Sequence, residues 1–189
     1  MILNYLNRHI KICKQLKIDD INDAISLISS KIAEQKKIMT CGNGGSAHTA
    51  SHYITDWNKM YQLANKGQIR GISLVDNLGV ITAYANDLCF DEIFSGQLRS
   101  LGDPGDLLIA VSGSGNSVNV IKAVETAKLM GISTLSVVGY DGGRLKEISE
   151  YSVHIESFDM QICEDFHLMF GHMVMKTICG YGIKNDINK

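Results

Sequence analysis

Proline is nearly absent. Its one occurrence among 189 residues, Pro104, sits in Gly102-Asp103-Pro104-Gly105-Asp106, a turn ahead of an apolar run, and is read as structural. No low-complexity tract interrupts the chain, and no internal repeat goes beyond an echo of strand, loop and helix. Neither sign of charge dominates: 18 Lys and Arg face 20 Asp and Glu, and the net charge is -2. That leaves no basic stripe and argues against nucleic acid as a partner. No apolar run reaches the roughly 18 residues of a membrane span. Charges run through Met1 to Lys17, where a signal peptide would have an apolar centre, so the expected location is the cytoplasm. The five cysteines, Cys13, Cys41, Cys89, Cys163 and Cys179, are odd in number and form no C-x-x-C pair. A disulfide framework and a cysteine zinc site are thereby disfavoured, and reduced thiols serving mostly as core filler are expected.

What the chain does have is apolar material, 45% of its residues, enough for one sizeable core, so residues 1–189 are expected to form a single domain. Helical spacing of Ile2, Leu6, Ile10 and Cys13, and then of Ile21, Ala24, Ile25, Ile28 and Ile32, predicts two leading helices over 2–17 and 20–35. Short apolar runs at Lys37–Cys41, Gly71–Val75, Leu107–Val111, Thr134–Val138 and Ser152–Ile155 predict five strands. Helical stretches separate them: one from Ser46, one to about Tyr84 and one from Val118 to Met130, with a long last helix from Met160 to about Tyr181. Strands that are apolar almost throughout and alternate with helices imply an α/β fold, a doubly wound parallel sheet covered on both faces. Ligands of such sheets bind beyond the carboxyl ends of the strands.

Two glycine- and serine-rich turns fall at those ends, Cys41-Gly42-Asn43-Gly44-Gly45-Ser46 and Ser112-Gly113-Ser114-Gly115-Asn116-Ser117. Each follows a strand and opens a helix, an arrangement that offers backbone N–H groups and a positive helix end to an anion. The first turn lacks the third glycine of a dinucleotide fingerprint, and no Gly-Lys-Ser/Thr of a nucleotide loop occurs. A single glycine loop is most simply a tight connection, but two loops carrying Ser46, Ser112, Ser114 and Ser117 suit one phosphate monoester.

Together with His52, Asn86-Asp87 and Gly139-Tyr140-Asp141-Gly142-Gly143, these turns resemble the sugar isomerase (SIS) domain, in its phosphoheptose isomerase branch, from about Lys37 to Gly180. The resemblance implies a flavodoxin-like sheet, a homotetramer with active sites between subunits, and interconversion of sedoheptulose 7-phosphate with an aldoheptose 7-phosphate for surface polysaccharide. It implies substrate contacts from Asn43, Gly44, Gly45, Ser46, Asn86, Asp87, Ser112, Gly113, Ser114, Ser117 and Glu164. It also implies one Zn2+ per site on His52, Asp56, Glu164 and His172, with Asp56, His172 and Glu164 as the proton-transfer candidates.

Aldose-ketose isomerisation moves a proton between C1 and C2 through an enediol, so it needs a base, a second proton-transfer group and an electrophile for the developing oxyanion. His48, His52 and Asp56 follow one another at i,i+4 and share a helix face, while Glu164, His167 and His172 lie on the last helix. Eight helical residues rise about 12 Å, so Glu164 and His172 must stretch to share an ion, and His167 stays a reserve ligand. His48 is a weaker candidate, and His9 and His154 are read as exposed or hydrogen-bonded.

Asp56 stands where the branch usually has glutamate and Glu164 where it has glutamine, so the second carboxylate is expected to compensate for the shorter first one. Gly113 replaces a common threonine, Met60 an arginine and Gln161 an aspartate. By analogy these departures point to nucleotide-activated heptose for capsule more than for lipopolysaccharide core. A phosphosugar-sensing or protein-binding module without catalysis, and an isomerase of another sugar phosphate, are the alternatives. A sensor needs the serine turns but not His52, Asp56, Glu164 and His172 together.

Overall fold

The computed structural model describes residues 1–180. Two helices lead, α1 (Ile2–Gln15) and α2 (Ile18–Ala33), followed by β1 (Lys37–Cys41), α3 (Gly44–Leu63), β2 (Arg70–Ser73) and α4 (Leu78–Asp87). A 3-10 turn (Phe90–Glu92) and the short α5 (Ser95–Leu101) precede β3 (Leu107–Ser112) and α6 (Val118–Leu129). The chain then runs through β4 (Ser133–Val138), α7 (Gly143–Ile148), β5 (Tyr151–His154) and α8 (Met160–Cys179). All five strands pair in parallel in the order β2-β1-β3-β4-β5. This is the flavodoxin-like order, with its switch point between β1 and β3.

The five predicted strands are all present, each shifted by no more than two residues at an end. The expected end of the last helix at Tyr181 lies outside the described residues. The segment from Phe90 to Leu101, unassigned in the sequence reading, is the 3-10 turn and α5. Seven residues make too short a helix for a 3.6-residue period to show.

Alternation within strands divides the core. Leu107, Ile109 and Val111 of β3 face one apolar layer with α2, α3 and α8, while Leu108 and Ala110 face the other with α5, α6 and α7. The contact that matters most for the site is between α3 and α8. Tyr53 and Trp57 are fully buried and stack at 5.1 Å. The Trp57 indole N–H donates to the Gly171 carbonyl at 2.9 Å, and the Tyr53 hydroxyl donates to the His167 carbonyl. Burying each ring contributes about 2 kcal/mol or more, and the paired polar tips avoid a desolvation cost. The ring of Tyr53 occupies the place a side chain at position 171 would need, so the glycine brings the two helices close.

α1 is held to α8 mainly by polar contacts. Tyr5 and His9 both reach the Asp165 carboxylate, at 2.5 and 2.8 Å, and Arg8 pairs with Asp159 at 2.7 Å. Ile12 is its one buried residue, while Ile2, Leu3, Leu6 and Ile10 are exposed along a stripe. All five cysteines are free thiols; Cys41, Cys163 and Cys179 are buried, and Cys13 and Cys89 are exposed. Among the described residues no helix is long and apolar enough to cross a membrane.

Candidate active site

At the β1/β3 switch point the two glycine turns face each other. Asn43 to Ser46 and Ser112 to Ser114, together with Ser117, line one cradle of about 290 Å3. The helices that open from these turns, α3 and α6, carry no side-chain cap, so the N–H groups of their first turns are left for a ligand. Ser112 Oγ accepts from the Gly115 N–H at 3.1 Å and Ser114 Oγ from the Asn116 N–H at 3.2 Å. Each hydroxyl that accepts within its own turn keeps its proton to donate outward. Cys41, directly before the first turn, is no nucleophile, because burial pushes its thiol up to about 12.

α8 closes the cradle with Met160 and Glu164. The Glu164 carboxylate lies against Gly45, where any Cβ would collide with it. Met160 occupies the corresponding space at Gly113, its Sδ 2.5 Å from where a Cβ would be. The threonine that the family resemblance leads one to expect at position 113 would require the end of the Met160 side chain to turn aside. The cradle wall carries no Lys or Arg and one carboxylate. An anion here would meet N–H groups and hydroxyls and no cationic side chain of this wall.

Further along the α3/α8 seam, His52, Asp56 and His172 come together as a group able to hold a metal ion. His52 Nε2 lies 3.1 Å from His172 Nε2, and Asp56 Oδ2 lies 3.4 Å from the first and 3.8 Å from the second. Donors at about 2.1 Å around a tetrahedral cation are separated by about 3.4 Å, so these spacings and this N/N/O set fit such an ion. His52 is 41% and His172 44% exposed, which leaves the group open on one side.

Glu164 does not join this trio; it stands two turns earlier on α8, in the cradle. The rise of α8, about 12 Å over eight residues, separates it from His172. Of the four residues expected to share an ion, three come together in the single chain. His167, the reserve ligand, is fully buried with its pKa lowered to about 4 by desolvation, and it is not in the trio. Asn86 and Asp87 end α4, exposed and bonded to each other at 2.8 Å, outside the residues lining the cradle. His48 is exposed and bonded to the Gly44 carbonyl. His9 and His154 are hydrogen-bonded, to Asp165 and to the Tyr140 carbonyl. A larger cavity of about 980 Å3, between α3, β2, α4 and α5, contains none of the predicted site residues.

Sequence reasoning missed Met160, which walls the cradle, and Asn119, which bonds Asn43 of the first turn. An apolar residue at a helix start gives no signal of a cradle wall. Asn119, two positions beyond the second turn, was visible only as one more asparagine near a glycine turn.

Residues 3–139 match the SIS domain family. A phosphoheptose isomerase of Helicobacter pylori (strain P12) is 38% identical over 158 residues, covering 84% of this chain and 82% of that protein. A phosphoheptose isomerase of Campylobacter concisus (strain 13826) is 33% identical over 180 residues, covering 94% and 95%. The solved structure of phosphoheptose isomerase GmhA from Neisseria gonorrhoeae superposes with a TM-score of 0.87 at 26% identity, covering 95% of this chain and 97% of that one.

Proposed function

The chain belongs to the SIS domain family and to its phosphoheptose isomerases, and on that premise we propose that it interconverts D-sedoheptulose 7-phosphate and D-glycero-D-manno-heptose 7-phosphate by acid-base chemistry at a metal site. We read residues 1–189 as one SIS unit. The observation that carries the reading is that His52, Asp56 and His172 cluster on the same two helices that wall the cradle. From Gly45 to His52, α3 rises about 10 Å. An extended seven-carbon chain spans about 9 to 10 Å from phosphorus to C1 and C2, at about 1.3 Å of advance per C–C bond. Phosphate in the cradle therefore sets the reacting carbons beside the trio, and a five-carbon sugar phosphate falls short.

His52, Asp56 and His172 would hold the cation, with zinc favoured by the N/N/O donor set. When bound, it supplies positive charge to the oxygen that becomes negative as the enediol forms. The chain's own groups do the proton work. In the ketose-to-aldose direction a base takes a proton from C1, exchanges it with solvent, and returns a proton to C2. A second group takes the proton from O1 and protonates O2. The Asp56 carboxylate, through the oxygen the ion does not hold, and His172, when its Nε2 is off the ion, would serve as this pair, 3.8 Å apart. Glu164, in the cradle, hydrogen-bonds the substrate chain near its phosphate end. Asn43, Gly44, Gly45, Ser46, Ser112, Gly113, Ser114 and Ser117 hold the phosphate.

Assembly into a homotetramer accounts for the apolar stripe on α1, for α4 burying none of its residues, and for the half-open trio. In it, Asn86 and Asp87 reach substrate at a site completed between subunits. A cytoplasmic role in supplying nucleotide-activated heptose to a capsule or lipopolysaccharide follows from the proposed product. The test is incubation of the purified, zinc-loaded protein with sedoheptulose 7-phosphate and quantitation of aldoheptose 7-phosphate by chromatography. Formation of the aldose supports the reading, and its absence at high enzyme concentration contradicts it.

A further inference from the structure

The two turns that form the cradle belong to different strands and are joined by one side-chain pair. Asn43 Nδ2 donates to Asn119 Oδ1 at 2.8 Å, and Asn119 Nδ2 donates back to Asn43 Oδ1 at 2.9 Å. Asn43 lies in the first turn; Asn119, in the first turn of α6 behind the second, is 2% exposed. Asn43 is the N-cap residue of α3, yet its amide makes no cap bond because both of its polar atoms face Asn119. A capping asparagine is worth about 1 kcal/mol to a helix. Here that bond is absent, so the α3 N–H groups stay open and the amide serves as a link instead. On the far side, Asn116 ties the second turn to the third: its Oδ1 accepts from the Arg144 N–H at 3.0 Å while its Nδ2 donates to the Ser114 carbonyl at 3.1 Å.

We infer that Asn119, with Asn43, is a positioning clasp that sets the gap between the two turns and thereby the affinity of the cradle for phosphate. The reason is electrostatic. With no Lys or Arg on its wall and Glu164 facing in, the cradle has no mobile cation that can adjust to an anion. Its attraction comes from fixed N–H and O–H dipoles on two separate loops, and such dipoles act together only when held at the right spacing beforehand. The reciprocal amide pair fixes both distance and tilt, since two parallel bonds define a plane where one would allow rotation.

The inference rests on the phosphate reading of the cradle but not on turnover, so binding is measured apart from catalysis. Wild type, Asn119→Leu, Asn119→Asp, Asn43→Leu and the double leucine variant are titrated with inorganic phosphate and with sedoheptulose 7-phosphate by calorimetry. Thermal melts establish folding. Loss of two buried amide bonds is expected to weaken phosphate about tenfold in Asn119→Leu. Asn119→Asp keeps the volume but sets a carboxylate oxygen against Asn43 Oδ1, and should lose a similar factor. The double variant should bind no more weakly than either single one, because both remove the same link. In turnover assays of the Asn119 variants KM should rise by the factor seen in binding while kcat changes less than threefold, since Asn119 lies on α6 and the trio on α3 and α8.

Phosphate affinity within twofold of wild type in a folded Asn119→Leu or Asn119→Asp protein, or additive losses in the double variant, would overturn the clasp. Wild-type protein that binds phosphate but produces no aldose would refute the isomerase proposal and leave the clasp tested by binding. Wild-type protein that binds neither ligand would overturn both.

Discussion

Acid should destabilise this protein through one histidine. His167 is fully buried on α8, and desolvation holds its pKa at about 4 against the ordinary 6.5, partly offset by the backbone of Val138 and aided by nearby His154. Above pH 6.5 the ring is neutral in both folded and unfolded chains and has no effect on the balance. As the pH falls below 6.5 the unfolded chain takes the proton first, so stability drops until the folded ring also titrates near pH 4. At about 1.4 kcal/mol for each pH unit, the loss over that window is at most about 3 kcal/mol. That is a large fraction of the 5 to 15 kcal/mol typical of a domain. Urea unfolding of wild type and His167→Leu at half-unit steps from pH 7.5 to 4 isolates the effect, because carboxylates and the other histidines are common to both. Relative to the variant's curve, the wild-type curve should lose about 2 to 3 kcal/mol between pH 7.5 and 4. Parallel curves, or an imidazole NMR titration placing His167 near 6.5, would refute the reasoning.

Asp56→Asn removes the trio's one negative donor and a proton-transfer group, and should cut kcat/KM by about a hundredfold or more while weakening zinc in a competition titration. Glu164→Gln removes a carboxylate from an anion cradle: inorganic phosphate should bind several-fold tighter and zinc unchanged, as read by calorimetry. A loss of zinc affinity in Glu164→Gln would instead place Glu164 in the metal set. Gly113→Thr should destabilise by no more than about 1 kcal/mol because the end of Met160 can turn aside, and Met160→Ala in the same chain should remove that cost, as thermal melts will report.

Much of the architecture was legible because its causes are local. The runs Lys37–Cys41 and Leu107–Val111 are apolar on both faces, as a covered parallel strand must be, and each is followed by a glycine turn that opens a helix. The cradle followed from the same turns. The grouping of His52 and Asp56 with His172 came from the family resemblance and not from periodicity, because it depends on packing between residues distant in sequence, Tyr53 and Trp57 against Gly171. That packing, with the rise of α8, decides why His172 meets Asp56 and Glu164 does not. The Asn43–Asn119 pair was hidden because the parallel pairing of β1 with β3 brings together turns about seventy residues apart.

Proton exchange at carbon tests the central claim most directly. Zinc-loaded protein incubated with sedoheptulose 7-phosphate in D2O should place deuterium at C2 of the aldose and at C1 of recovered ketose, seen by NMR, and a chelator should stop both. An aldose formed with neither label, a rate indifferent to the chelator, or no exchange in metal-replete protein would contradict proton transfer at the His52, Asp56 and His172 site.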